Sequence, residues 1–265
     1  MYGAIIGDII GSRFEFDRGS KSREFELFTS RCDFTDDTVM SVAVAEALMN
    51  AGKDADEETV KINLIKSLKK WGQKYPHAGY GRRFKSWVLT DNPKPYGSYG
   101  NGSGMRDSAV GWFYDSLNRT REVAKWTAEV THNHPEGIKG AESVAAAIFI
   151  ARNGASKEEI KKLIEDEFCY NLNRTLDEIS PSYKHVEDCM RTMPEAFRCF
   201  LEADNYEETI RNVMYIGGDT DTLGAIAGAV AEAFWGVPEE IVESGMSYLS
   251  PDLLDVVHRF KEFRN

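Results

Sequence analysis

The chain has little of what would tie it to an oxidising compartment, a thiolate metal site or a membrane. It carries four cysteines in 265 residues, Cys32, Cys169, Cys189 and Cys199, and no two are spaced as C-x-x-C. Their scarcity and spacing argue against a thiolate zinc site and read as free thiols in a reducing compartment. No apolar run reaches the length of a bilayer span. The N-terminal Met1-Tyr-Gly-Ala-Ile-Ile-Gly-Asp8 lacks a basic leader and is interrupted by its own acid. Neither a signal peptide nor a membrane anchor is expected, and the expected location is the cytoplasm. Positive charge is short as well: 32 Lys and Arg stand against 43 Asp and Glu, a formal net charge of -11. A phosphate backbone is repelled by that balance, so nucleic acid is not an expected partner. Strand-like alternation of period two is missing, and so is any repeat of fixed period.

What is present is helical. Residues 3 to 12 read as a short buried helix on which Gly3, Gly7 and Gly11 make one stripe. Glycine weakens a helix, so the stripe predicts close approach by another helix. Glycine packing does not account for Asp8 on that helix or for Glu15 just beyond it. Residues 17 to 31 read as a polar loop with Phe25, Leu27 and Phe28 interleaved, a candidate flap. Further helices are expected over 39–49, ending at Gly52, and over 56–71, with Val60, Leu64, Leu68 and Trp71 as the apolar stripe. A short piece follows at Phe84 to Leu89, then helices through Ala109 to Leu117, Glu122 to Val130, and Gly137 to Arg152. Ser156 with Glu159 forms a capping box, and Asn205 with Glu208 caps a helix ending near Ile216. Residues 156–205 read as helices broken at Pro181. Pro238 and Pro251 suit the first turns of two terminal helices. The expectation is an all-α protein, one domain over residues 1–265.

Two stretches carry acids at the mouth of an apolar helix. One is Thr35-Asp36-Asp37-Thr38, and the other is Gly217-Gly218-Asp219-Thr220-Asp221-Thr222. A helix apolar on nearly every side is normally buried, and buried carboxylates need partners or a metal. An N-cap explains one residue of each set but does not need all of Thr35, Asp36, Asp37, Asp219, Asp221 and Thr222. Oxygen ligands of this kind suit Mg2+ or Mn2+ rather than zinc. Spacing alone leaves a metal site and a capped, solvated pair both open. Gly100, Gly102 and Gly104, ahead of a helix, form an anion cradle in principle and an ordinary flexible turn in the simpler reading. His132 and His134 point to phosphate or ribose contact, with structural packing as the alternative.

Taken together these motifs resemble those of the ADP-ribosylglycohydrolase family, which includes the dinitrogenase-reductase-activating glycohydrolases. The resemblance rests on Gly7-Asp8-Ile-Ile-Gly11 with Phe14-Glu15, Thr35-Asp36-Asp37-Thr38, Gly100-Asn101-Gly102-Ser103-Gly104-Met105-Arg106, Thr131-His132 and Gly217–Thr222, in the family's order. It implies a compact orthogonal helical bundle with a centre of two Mg2+ ions, for which Mn2+ can substitute. Carried over, Thr35, Asp36, Asp37, Asp219, Asp221 and Thr222 would bind metal. Asn101, Gly102, Ser103, Gly104 and Met105 would hold the diphosphate and distal ribose, and His132 would support the ADP-ribose. Glu15, Asp37 and Asp219 are the candidate catalytic carboxylates. Ser103 stands where many members have glycine. The implied reaction is hydrolysis of the glycosidic bond between ADP-ribose and a protein side chain, arginine first. Other readings are a small conjugate such as O-acetyl-ADP-ribose, a pyrophosphate-cleaving metal hydrolase, or a non-catalytic binding or structural relative with degraded ligands.

Overall fold

A computed structural model describes residues 1–19 and 21–264. The chain forms α1 (Tyr2–Gly11), α2 (Asp36–Ala51), α3 (Glu57–Lys74), α4 (Arg82–Leu89), α5 (Ser108–Phe113), α6 (Leu117–Glu129) and α7 (Pro135–Arg152). It continues with α8 (Lys157–Phe168), α9 (Leu176–Ile179), α10 (Cys189–Leu201), α11 (Tyr206–Ile216), α12 (Thr220–Trp235), α13 (Glu239–Met246) and α14 (Pro251–Arg264). The described residues contain no strand, only an isolated antiparallel bridge between Gly100 and Asp188. The all-α expectation holds. No described helix is long and apolar enough to cross a membrane.

The bundle is organised around α12, whose residues Thr220 to Ala233 are all buried. It packs against α1, α7, α10 and α11. The glycine stripe of α1 finds its partner here. Gly3 faces Gly228, Gly7 faces Gly224 and Gly11 faces Thr220, so the two helices run antiparallel with their backbones touching. A Cβ on Gly7 would stand 2.0 Å from the Gly224 carbonyl oxygen. This contact brings Asp8, near the end of α1, to the start of α12.

Most predicted ends are found where local chemistry places them. Gly52 closes α2 at positive φ, 86°. The Ser156–Glu159 capping box is present, and the Asn205 side chain accepts from the Glu208 N–H. One boundary differs. The helix expected to run through Leu117 stops at Phe113, and the next begins at Leu117 instead of Glu122. The Ser116 hydroxyl accepts from the Arg119 N–H and so starts a new helix where one long helix was expected. Pro238 is the residue before α13 rather than within its first turn.

Buried Glu46 locks α2 to α3 by accepting from Ser67 Oγ (3.1 Å), Lys70 Nζ (2.7 Å) and Trp71 Nε1 (2.9 Å). Burial alone would push this carboxyl up, but the bonds from Lys70 and Trp71 outweigh it and hold it below its usual range.

A carboxylate cluster at the end of a cleft

Three helix ends meet at one corner of the bundle. The contact between α1 and α12 fixes Asp8 there, fully buried. Its carboxylate takes the Thr35 N–H (2.9 Å), Thr35 Oγ1 (2.7 Å), the Thr38 N–H (3.1 Å) and Thr38 Oγ1 (2.5 Å). Asp8 therefore holds the first turn of α2 in place, and with it Asp36 and Asp37. Thr35 also caps α2 by accepting from the Asp37 N–H. The N-terminus of α12 supplies Asp219, Asp221 and Thr222. Both helices point their positive ends at the cluster, which favours the carboxylates being there.

The six residues of the two acidic motifs thus come together, with Asp8 and Glu15 added. Asp8, Asp37 and Asp221 each place a carboxylate oxygen within 4.8 Å of the others, and so do Glu15, Asp219 and Asp221. Asp221 belongs to both groups. Asp37 Oδ2 accepts from the Thr35 and Thr222 hydroxyls at 3.3 Å each, whereas its buried Oδ1 has no hydrogen-bond partner. Asp36 is partly exposed and lines the cleft beside Gly79.

This crowding has an electrostatic cost. Burial pushes Asp219 up to about 7, against the lowering bond from Asn101. Burial and the neighbouring Asp221 push Glu15 up to about 7, and burial raises Asp8 to about 6. Asp36 and Asp37 are driven well above the usual range by burial and then by Asp221, and Asp221 itself by burial and then by Asp219. Buried acids that cannot all ionise either hold protons or gather a cation. The unpaired Asp37 oxygen and the all-oxygen donor set fit a hard divalent ion such as Mg2+.

The cluster opens into a cleft of about 390 Å³. Its walls also include Arg82, Arg83, Tyr96, Arg106 and His132. Asn101, in the same lining, ties the glycine-rich turn to the acids, its Nδ2 donating to Asp219 Oδ2 at 2.6 Å. Gly102 has His132 Nε2 3.3 Å from where a Cβ would stand, so a side chain would crowd the imidazole. His132 contacts Thr131 Oγ1 through Nδ1 at 2.8 Å. Burial, with Arg106 and Arg83 nearby, holds it well below its usual range, so its imidazole is neutral at pH 7. Met105 also lines the cleft. Ser103 and Gly104 do not. The Ser103 hydroxyl is spent on the Gly137 carbonyl (2.7 Å), and Gly104 packs tightly on Met193. His134 caps α7.

Several residues of this site could not be placed from the sequence. Asp8 stands out as an acid in an apolar helix, but nothing local ties it to either acidic motif. Arg83 donates to the Tyr96 carbonyl and lies over its ring, so the stretch 71–100 builds one wall. The stretch 156–205, read from the sequence only as helices with a break, builds another, because the Asn101 N–H donates to the Glu187 carbonyl (2.8 Å) and the Cys189 N–H to that of Tyr99 (3.0 Å). Only knowledge of the pairing between residues 99–101 and 187–189 would have revealed it.

Comparison with known proteins gives one consistent picture. The ADP-ribosylglycohydrolase family model matches residues 1–261. Human ADP-ribosylhydrolase ARH3 is 27% identical over 334 aligned residues, covering 96% of this chain and 90% of its own length. ADP-ribosylarginine hydrolase Tri1 of Pseudomonas putida (strain GB-1) is 25% identical, covering 92% of this chain and 72% of its own. A solved structure titled ADP-ribosylglycohydrolase-related protein complex superposes with a TM-score of 0.73 at 22% identity, over 99% of this chain and 95% of that one.

Proposed function

The chain belongs to the ADP-ribosylglycohydrolase family, and on that premise we propose a Mg2+-dependent hydrolase that frees ADP-ribose from a modified arginine side chain. The observation that carries the proposal is the pair of carboxylate triads sharing Asp221, set in the same cleft as Asn101, Gly102 and His132. A non-catalytic relative would have no use for a converged acidic set at this energetic cost.

In this reading Asp37, Asp219 and Asp221 would hold two ions, with Thr35, Asp36 and Thr222 completing the set and Mn2+ able to replace Mg2+, and the chemistry supplied there would be orientation of the ribose hydroxyls and activation of a water. The protein's own groups do the rest. Gly102, Met105 and the neutral His132 seat the diphosphate and distal ribose near Arg106, whose buried charge favours an anion, and Asn101 lines the same seat while its amides hold the turn to Glu187 and Asp219. Ser103 and Gly104 support that turn from behind. Positive charge develops on the ribose as the glycosidic bond breaks, and the carboxylates at the acidic end stabilise it. Glu15, Asp37 and Asp219 are the groups placed to take the proton from water. Glu15 and the exposed Glu187 line the same cleft, which suits a guanidinium as the group that leaves. Support for arginine also comes from the name of the Pseudomonas relative. The partner is then an ADP-ribosylated protein or a small ADP-ribose conjugate.

The test compares substrates. With Mg2+, kcat/KM for ADP-ribose release from an arginine-modified protein is expected to exceed that from a serine-modified one by about tenfold or more, over 1.4 kcal/mol in the barrier. A faster serine reaction would remove the arginine assignment. Release of AMP would replace the glycosidic reaction with pyrophosphate cleavage.

A further inference from the structure

His185 lies in the loop between α9 and α10, with no place in the reaction described above. Its surroundings are unusual for a loop histidine. The imidazole packs on the ring of Phe16, with centroids 4.6 Å apart. Its backbone N–H donates to Asp17 Oδ2 at 3.3 Å. Nε2 is 3.1 Å from Glu187 Oε1. Nδ1 is buried, has no hydrogen-bond partner, and lies 4.0 Å from Asp219 Oδ1.

Phe16 and Asp17 directly follow Glu15, and both are held at positive φ, 59° and 56°. Two consecutive non-glycine residues in that region are costly and persist only where surrounding contacts impose them. Among the described residues, His185 meets both from outside the turn: its ring lies against Phe16 and its backbone N–H donates to Asp17. The same side chain aims an unused nitrogen at Asp219.

We propose that His185 is a positioning residue that clasps the Glu15 turn against the Asp219 end of the cleft. Its side chain acts through Phe16, while its backbone N–H, which His185→Ala retains, holds Asp17; it touches no substrate. Without it the turn relaxes, and Glu15 leaves the cluster it forms with Asp219 and Asp221. The diphosphate end of the cleft, at Asn101 and His132, is held to the His185 loop by main-chain bonds, the Asn101 N–H to the Glu187 carbonyl and the Cys189 N–H to that of Tyr99; the His185 side chain makes neither, so this end stays intact. The catalytic part of this inference rests on the proposed function; the clasp itself does not.

The experiment uses His185→Ala, Phe16→Ala and the double variant in the full chain. Hydrogen exchange reads the clasp independently of activity. The amides of Phe14 and Arg18, bonded to Gly11 and Phe14 carbonyls, are expected to exchange at least about tenfold faster in His185→Ala, with α1 unchanged. Turnover should fall about tenfold or more, while free ADP-ribose binds within about twofold of wild type. Phe16→Ala should reproduce both effects, and the double variant should be little worse than either single one, as expected for residues acting together. Unchanged exchange at 14–18 overturns the clasp. Faster exchange with wild-type turnover, or an equal loss of ADP-ribose binding, overturns the positioning role. If His185→Ala does not fold, Phe16→Ala decides by the same readings. A wild-type protein that releases no ADP-ribose from any conjugate counts against the proposed function, and the exchange result still decides the clasp.

Discussion

Asp221→Asn is expected to lower ADP-ribose release by about 10³-fold or more, a loss of several kcal/mol of transition-state stabilisation. Asp221 is the carboxylate common to both triads, so its removal weakens both at once. The substitution is nearly isosteric and keeps an acceptor for the Thr222 N–H, which now bonds Asp221 Oδ1 at 3.0 Å. A loss of activity therefore reports on charge rather than on fold. Stability should move the other way. In chelated protein the variant has one fewer acid among Asp8, Asp37 and Asp219, all of which crowd Asp221. A rise of about 1–2 kcal/mol, or roughly 2–8 °C in Tm, is expected for a chain of this size. Added Mg2+ should stabilise the wild type and not the variant. Thermal unfolding with and without chelator, beside a turnover assay, checks all three. An active variant would show that the reaction does not depend on the Asp221 charge, and one less stable without metal would show that this charge is not crowded.

Gly7→Ala is expected to have the largest effect on folding of any single methyl added to this chain. The new Cβ would meet the Gly224 carbonyl oxygen at 2.0 Å and its carbon at 2.3 Å. Both obstacles are helix backbone and cannot rotate aside, so α1 and α12 must separate. Overpacking of side chains costs about 1–3 kcal/mol; a backbone clash at the centre of the bundle should exceed about 4 kcal/mol. Separation also carries Asp8 away from Asp221, so any folded fraction should lose activity with stability. Gly81→Ala is the control, since its Cβ would meet nothing within 4 Å, and it should stay within about 1 kcal/mol of wild type. Urea denaturation distinguishes them. A Gly7→Ala protein of near wild-type stability would mean that the two helices do not meet backbone to backbone.

The glycine stripe shows how far the sequence could be read. Its spacing of four announces that something approaches α1 closely, because glycine is otherwise a poor helix residue. It does not say what approaches. The answer, α12 with Gly224 and Gly228 facing Gly7 and Gly3, depends on long-range packing. The acidic mouths were legible in the same partial way. Adjacent Asp36 and Asp37 before an apolar helix are costly, and cost points to function. Asp8 was marked as an acid that helix packing does not explain, but that it would join them was hidden, since nothing local says what such an acid faces. Arg83, Tyr96, His185 and Glu187 were hidden for a different reason. They lie in irregular segments whose positions are set by single contacts, such as the Asn101 N–H to the Glu187 carbonyl. No period or propensity encodes such a contact. Ser103 marks the opposite case. Its place in a glycine-rich turn suggests ligand contact, yet its hydroxyl is used inside the fold by the Gly137 carbonyl.

The central claim is that the carboxylate cluster works as a divalent-ion centre for hydrolysis of ADP-ribose conjugates. It is tested most directly by following the product formed from arginine-ADP-ribosylated protein by chelator-treated enzyme, before and after Mg2+ is restored. The account predicts no turnover in chelator and free ADP-ribose, with unmodified arginine left on the protein, once Mg2+ is returned. Equal release of ADP-ribose in chelator, or no release at any Mg2+ or Mn2+ concentration, would contradict it.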